Sequence, residues 1–196
     1  MFLIFFRSGT LLCQDRRRLI IIGQRLDETG SFTWPELPNL DMKWGQAYRA
    51  RFDEDPSLRL TAKQEQAVLQ APWRIRKFPD PAMRKIPVAE PQFPTRTLVS
   101  SYRTSFPMHA QFVRLADGGY RFFHVREVAA CMGFPPTFRL DALPANNHNR
   151  LYAQLGNAVP PPLVALVAVP LLAMLGIQCD EPDIAENMAR EAVMYE

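Results

Sequence analysis

Cysteine and histidine are scarce in this chain, with three of each in 196 residues. Cys13, Cys131 and Cys179 are far apart, odd in number and without metal-ligand spacing. This excludes a disulfide framework and a cysteine-histidine zinc site, and no metal is expected. The implied setting is reduced and intracellular, nuclear if the source is eukaryotic. His109, His124 and His148 are dispersed and read as caps or surface residues. The apolar run Met1–Phe6 lacks a basic leader and is too short for a secretory signal. Glycine is also sparse: 9 against 18 prolines, which indicates stiff irregular connections rather than disorder. Charge is absent from Ala158 to Ile177, twenty residues, the length of a membrane span. Pro160, Pro161, Pro162 and Pro170 interrupt that run, so a continuous helix starts only near Leu163, and Pro170 would kink or split it. A buried helix of a soluble protein is expected, and no membrane.

The charge that is present is uneven. The net charge is +3, yet residues 180–196 hold six acids and only Arg190 as a base, which leaves the remainder at +8. Nineteen of the 23 bases are arginine, a planar fork suited to phosphate and guanine. A nucleic-acid partner and an ordinary surface charge account for this equally well.

Three islands carry pattern. Leu19–Ile22, ended by Gly23, reads as a strand buried on both faces, with Gln14, Arg16, Arg17 and Arg18 at its start. Arg121–Pro135 contains a helix with Val125, Val128, Ala129 and Met132 on one face, Glu127 at capping-box spacing from His124, and Gly133 and Pro135 as its stop. Tyr152–Pro162 is a turn into a second helix: Gly156 frees the backbone, Asn157 can cap, and the prolines pre-set the first turn.

Between the islands, Thr61–Ala71 reads as a surface helix capped by Thr61 and ended by Pro72. Arg96–Tyr102 reads as a strand, and Phe112–Phe123 as a hairpin turning at Asp117-Gly118. Arg74–Pro94 alternates bases with prolines and suits either phosphate contact or a solvated connection. Trp34 and Trp44 are expected in local core, and Asp53-Glu54-Asp55 in a solvated acidic turn.

Together the islands resemble the cytosine-C5 DNA methyltransferases. Gln14, Arg16 and Arg18 match that family's Gln-x-Arg-x-Arg strand; Arg126-Glu127 with Gly133-Phe134-Pro135, and Gln154-x-Gly156-Asn157-Ala158-Val159, match its last two motifs. The resemblance implies that Gln14, Arg16 and Arg18 reach a flipped cytosine and its phosphates, Arg18 nearest the base. It implies that Thr97, in a Thr-Leu dipeptide, sits by the backbone near that base, although a solvent-facing threonine fits equally. Asn157, Ala158 and Val159 would line a pocket for S-adenosyl-L-methionine, while Arg126, Glu127 and Gly156 would be structural, the first two as a buried pair.

The family's covalent chemistry needs a cysteine after a proline and a glycine-rich cofactor turn. Neither is present: Cys13 follows Leu12, Cys131 follows Ala130, and Cys179 follows Gln178. The expected fold is therefore α/β, the C-terminal portion of a Rossmann-like methyltransferase with a small, irregular, β-rich target-recognition domain. Residues 1–30 would be terminal strands of the catalytic domain, 31–145 the recognition domain, 146–178 the returning turn and helix, and 179–196 an acidic tail. The expected function is DNA recognition plus part of the cofactor pocket, inactive alone and completed by an N-terminal catalytic half or partner chain. A non-catalytic nucleic-acid-binding or regulatory module, and an RNA-directed relative, are the alternatives. Exposed apolar surface is expected along Leu163–Leu175 unless a partner covers it.

Overall fold

The computed structural model describes residues 2–23, 25, 32–140, 148–179 and 183–194. The expected boundaries at 30/31 and 145/146 lie outside these residues, as do Asp180, Glu181, Glu196 and the side chain of His148.

Strand β1 (Phe2–Arg7) pairs antiparallel with β3 (Arg17–Ile22), placing Phe6 opposite Arg18 and Arg7 opposite Arg17. The short β2 (Gln14–Asp15) pairs in parallel with β4 (Thr95–Arg96), which draws the first island onto the middle of the chain. β5 (Val113–Arg114) and β6 (Tyr120–Arg121) form the expected hairpin, with Gly118 at φ +85° in its turn.

Helices α1 (Trp44–Ala47), α2 (Ala62–Leu69), α3 (Pro72–Lys77), α4 (Phe106–His109) and α5 (Val125–Cys131) surround that hairpin. Thr61 caps α2 as expected, its hydroxyl accepting from Gln64 N–H. The proline that ends α2 occupies the first turn of α3, where its missing N–H costs nothing. Its region is thus partly helical rather than a loop. The body is irregular with short helices, not β-rich. Residues 97–99 leave the strand path after Arg96, because Leu98 and Tyr102 turn into the core from irregular backbone.

The core of this body is aromatic. Trp44 lies 4.3 Å from Phe123, Tyr102 stacks on Phe123 at 5.7 Å, and Phe112 meets Phe122 edge-on at 5.3 Å. Each such pair contributes about 0.5–1.5 kcal/mol beyond area burial. The polar atoms are matched: Tyr102 Oη donates to Gln111 O at 2.9 Å and accepts from Phe123 N, and Tyr152 Oη donates to Phe123 O at 2.6 Å.

Helix α6 (His148–Asn157) leads into α7 (Pro161–Met174), and α8 (Ile184–Glu191) packs along α7. α7 runs through Pro170 unsplit. Pro160, not Asn157, stands at its N-cap, without a side-chain cap. Leu163 and Val167 bury against Phe6, Ile22 and Phe32 on one face of the β1–β3 ribbon. The other face is open: Leu19 is 44% and Ile21 57% exposed. The strand expected to be buried on both faces is covered on one: among the described residues α7 packs on a single face of the two-stranded ribbon. Asn149–Met174 is long and apolar enough to cross a membrane by length and composition, a test that core helices also pass. Among the described residues the architecture is a mixture of helices and small strands, consistent with an α/β fold.

Candidate functional site

The first and third islands meet at one buried guanidinium, that of Arg16, which also reaches Leu98. Arg16, 1% exposed, donates through Nη1 to Leu98 O at 3.1 Å and through Nη2 to Gly156 O at 2.5 Å and Ala158 O at 3.0 Å. Arginine suits this role because its fixed fork of donors reaches several carbonyls at once. Beside it, Thr97 Oγ1 donates to Asp15 O at 2.8 Å and Thr95 N to Cys13 O at 2.7 Å. Glycine is obligatory at 156: a Cβ there would lie 2.2 Å from Ser100 N. Gly133, at φ +77°, ends α5 against Pro162, whose Cγ would be 2.5 Å from an added Cβ. The second and third islands therefore pack on each other, and the first is fastened to the third.

The residues at this junction divide by exposure. Gln14 is fully buried, and neither its side-chain Nε2 nor its Oε1 has a hydrogen-bond partner among the described residues. Arg16 and Gly156 are buried, Arg18, Thr97 and Ala158 are half-buried, and Asn157 and Val159 face solvent. Arg18 donates to Arg17 O, and its partial burial lowers the guanidinium pKa. It pairs in register with Phe6, which lines a cleft of about 690 Å3 shared with Arg7, Asp15 and Pro94. In that cleft the Arg7 fork holds the Asp15 carboxyl below the usual carboxylate range, with Arg7 Nε 2.8 Å from Asp15 Oδ1.

A second network pins α5. Glu127 is buried but does not pair with Arg126. Its partner is Arg121, fully buried, which donates Nη1 to Oε2 at 2.8 Å and Nη2 to Oε1 at 2.9 Å. Arg121 Nε also donates to Asp53 Oδ1 at 2.7 Å, so Asp53 is a structural partner rather than part of a solvated turn. Glu127 further accepts from Arg49 N and His124 N, while His124 Nδ1 accepts from Arg126 N and completes the capping box. Burial opposes the Arg121 charge, but Glu127 and then Asp53 outweigh it and raise its pKa. Arg126 instead holds the following loop, donating to Phe138 O at 2.6 Å. The signal for Arg121 was faint: one arginine in a hairpin strand, paired across 68 residues with Asp53.

Burial disfavours the thiolate form of Cys13 and Cys131. Burial pushes Cys13 up to about 12 and Cys131 well above its usual value, so both remain protonated at neutral pH.

Gly156 and Asn157 are the last residues of α6 rather than the expected turn, which begins only at Ala158. These features define a chain in which a basic segment is fastened to the end of α6, and a pinned helix packs beside it. The sequence profile of the C-5 cytosine-specific DNA methylases matches residues 11–172, and the chain belongs to that family. It is 28% identical over 158 residues to the type II methyltransferase M.BsuFI of Bacillus subtilis, covering 80% of this chain and 36% of that protein. It is 32% identical over 99 residues to the type II methyltransferase M.MspI of Moraxella sp, covering 50% of this chain and 22% of that protein. It is 37% identical over 75 residues to DNA (cytosine-5)-methyltransferase 1 of Gallus gallus, covering 38% of this chain and 5% of that protein. The chain thus spans little more than a third, or less, of the relatives it matches.

Proposed function

We propose that this chain is the recognition-and-closing part of a DNA cytosine-C5 methyltransferase. The observation that carries this reading is the Arg16 guanidinium, which fastens the basic segment, Leu98 and the end of α6 at Gly156–Ala158 into one unit. Arg18, two residues further along and only half-buried, is the side chain that would meet a flipped base or its phosphate, with Thr97 held at Asp15 O.

S-adenosyl-L-methionine would supply the methyl group. The end of α6 fits one edge of such a ligand. Its carbonyls at 156 and 158 are already taken by Arg16, which leaves the backbone rigid and the Asn157 amide and Val159 side chain projecting outward. Nucleophile and cofactor loop would come from a Rossmann-like catalytic part, on the same polypeptide or another. The ribbon face with Leu19 and Ile21 and, on the α7 side, Val164 (51%) and Leu175 (57%) just past the helix end are the exposed apolar patches that such a part would cover.

A non-catalytic nucleic-acid-binding module is the second reading, favoured by the burial of Cys13 and Cys131 and by the +8 charge of the chain outside residues 180–196. Binding to duplexes with and without an unpaired cytosine tests the role of Arg18. Arg18→Ala should weaken binding to the unpaired-cytosine duplex by about tenfold more than to the plain duplex. Equal loss on both removes the assigned role. Methyl transfer on adding a polypeptide with the Pro-Cys and glycine-rich motifs separates the two readings.

A further inference from the structure

A groove of about 310 Å3 is lined by residues of α3, β4 and α4, Trp73, Arg74, Arg96, Thr97, Met108 and His109 among them. Among the described residues no acidic side chain lines it. Arg96 and His109 are exposed, and neither side chain makes a hydrogen bond or ion pair among the described residues. Arg74 forms part of the wall, donating to Val68 O at 3.0 Å and Lys85 O at 2.8 Å, with its guanidinium 4.5 Å over the Trp73 ring. Burial first, and then the charge of Arg96, lower the Arg74 pKa. Two guanidiniums therefore repel each other across a groove that offers no counter-charge. Trp73 is held in place by Nε1 donating to Pro107 O at 3.2 Å, and Met108, 44% exposed, adds an apolar lip.

The surroundings agree in sign. Residues 72–114 contain eight bases and two acids. Thr97 belongs to the groove and to the junction at once, since its hydroxyl bonds Asp15 O next to Arg16. A strand lying in the groove would reach the Arg18 side of the molecule through Thr97.

We propose that this groove grips the phosphodiester backbone of a DNA strand, with Arg96 and His109 on a phosphate and Trp73 with Met108 against the sugar. An anion there would relieve the Arg74–Arg96 repulsion, and a basic, part-aromatic channel matches what a strand presents. The groove takes a strand only if the chain binds DNA, as proposed above.

The test is the affinity of the full chain for a fluorescein-labelled duplex, by anisotropy across a salt series. Wild type is compared with Arg96→Glu, His109→Glu and Arg190→Glu, the last an equivalent charge reversal on α8. Arg96→Glu should weaken binding about tenfold at low salt and reduce the slope of log affinity against log salt by about one. His109→Glu should act in the same direction, less strongly, and Arg190→Glu should stay within about twofold of wild type. Circular dichroism checks folding, which Arg96→Glu should preserve because Arg96 has no side-chain partner to lose. Equal losses in Arg96→Glu and Arg190→Glu, or an unchanged slope, overturn the groove while duplex binding by wild type still stands. Competition by inorganic phosphate as effective, at equal ionic strength, as competition by unlabelled duplex would make this a simple anion site and also overturn it. A wild-type chain that binds no duplex at any salt overturns both proposals.

Discussion

The aromatic body around Trp44 and the layer made by the β1–β3 ribbon with α7 sit side by side in one chain, yet they are finished to different degrees. In the body, Trp44, Phe112, Phe122 and Phe123 are all at most 1% exposed, and Arg121, Glu127 and Tyr102 have partners for their polar atoms. In the layer, Leu19, Ile21, Val164 and Leu175 are each more than 40% exposed, and the ribbon has one covered face. A body that satisfies itself can hold a recognition surface unaided. A layer with this much apolar surface is what the proposed reading expects of half an interface. α8 covers part of the deficit, burying Ala185 and Ala189, and Ala189 packs with Leu11 and Leu12. It lies beyond the residues matched by the family profile.

The largest way to break this contrast lies in the body. Arg121→Met leaves Glu127 buried with its main partner gone and should cost about 3–5 kcal/mol, because a buried charge is left uncompensated. Urea unfolding followed by tryptophan fluorescence measures it; a loss below 1 kcal/mol would mean that the body is not held by this pair. Gly156→Ala comes next. Its Cβ would collide with backbone at Ser100 rather than with a movable side chain, so a cost of about 1–3 kcal/mol is expected, with faster hydrogen exchange at the Arg16 junction. A neutral substitution would show that the end of α6 and residues 99–100 are not in contact.

The smallest effect belongs to the ribbon. Asp15 has its folded pKa lowered by Arg7, so the pair contributes stability above the unfolded value, about 3.9. That contribution fades as pH falls through the lower folded value. Acid titration below about pH 4 should loosen the β1–β3 end in wild type, and Asp15→Asn should remove this step; an identical acid profile in the variant contradicts the assignment.

How much of this was legible in the sequence follows the range of the interactions. α5, its His124–Glu127 box and the Gly133 stop are local and were read correctly, as were the Thr61 cap and the Asp117-Gly118 turn. The α3 helix was missed because prolines on both sides suggested a loop, although one proline sits where a helix begins. The alternation in Arg96–Tyr102 imitated a strand, since core-facing Leu98 and Tyr102 are spaced by chance at an even interval. Glu127 was paired with its neighbour Arg126 because spacing along the chain cannot reveal a partner on the hairpin. Arg16 was assigned to DNA, yet its donors reach carbonyls 82, 140 and 142 residues away. A conformation-demanding glycine at 156 was the one sign of close approach there.

The most direct measurement is the state of the purified chain alone, by sedimentation velocity with a hydrophobic-dye titration, for wild type and for Ile21→Lys with Leu175→Lys. Wild type should self-associate or bind the dye, while the double variant should be monomeric and dye-free with thermal stability unchanged within a few degrees, equivalent to about 0.5 kcal/mol. A monomeric wild-type chain that binds no dye would contradict the claim that the ribbon and α7 await a catalytic part.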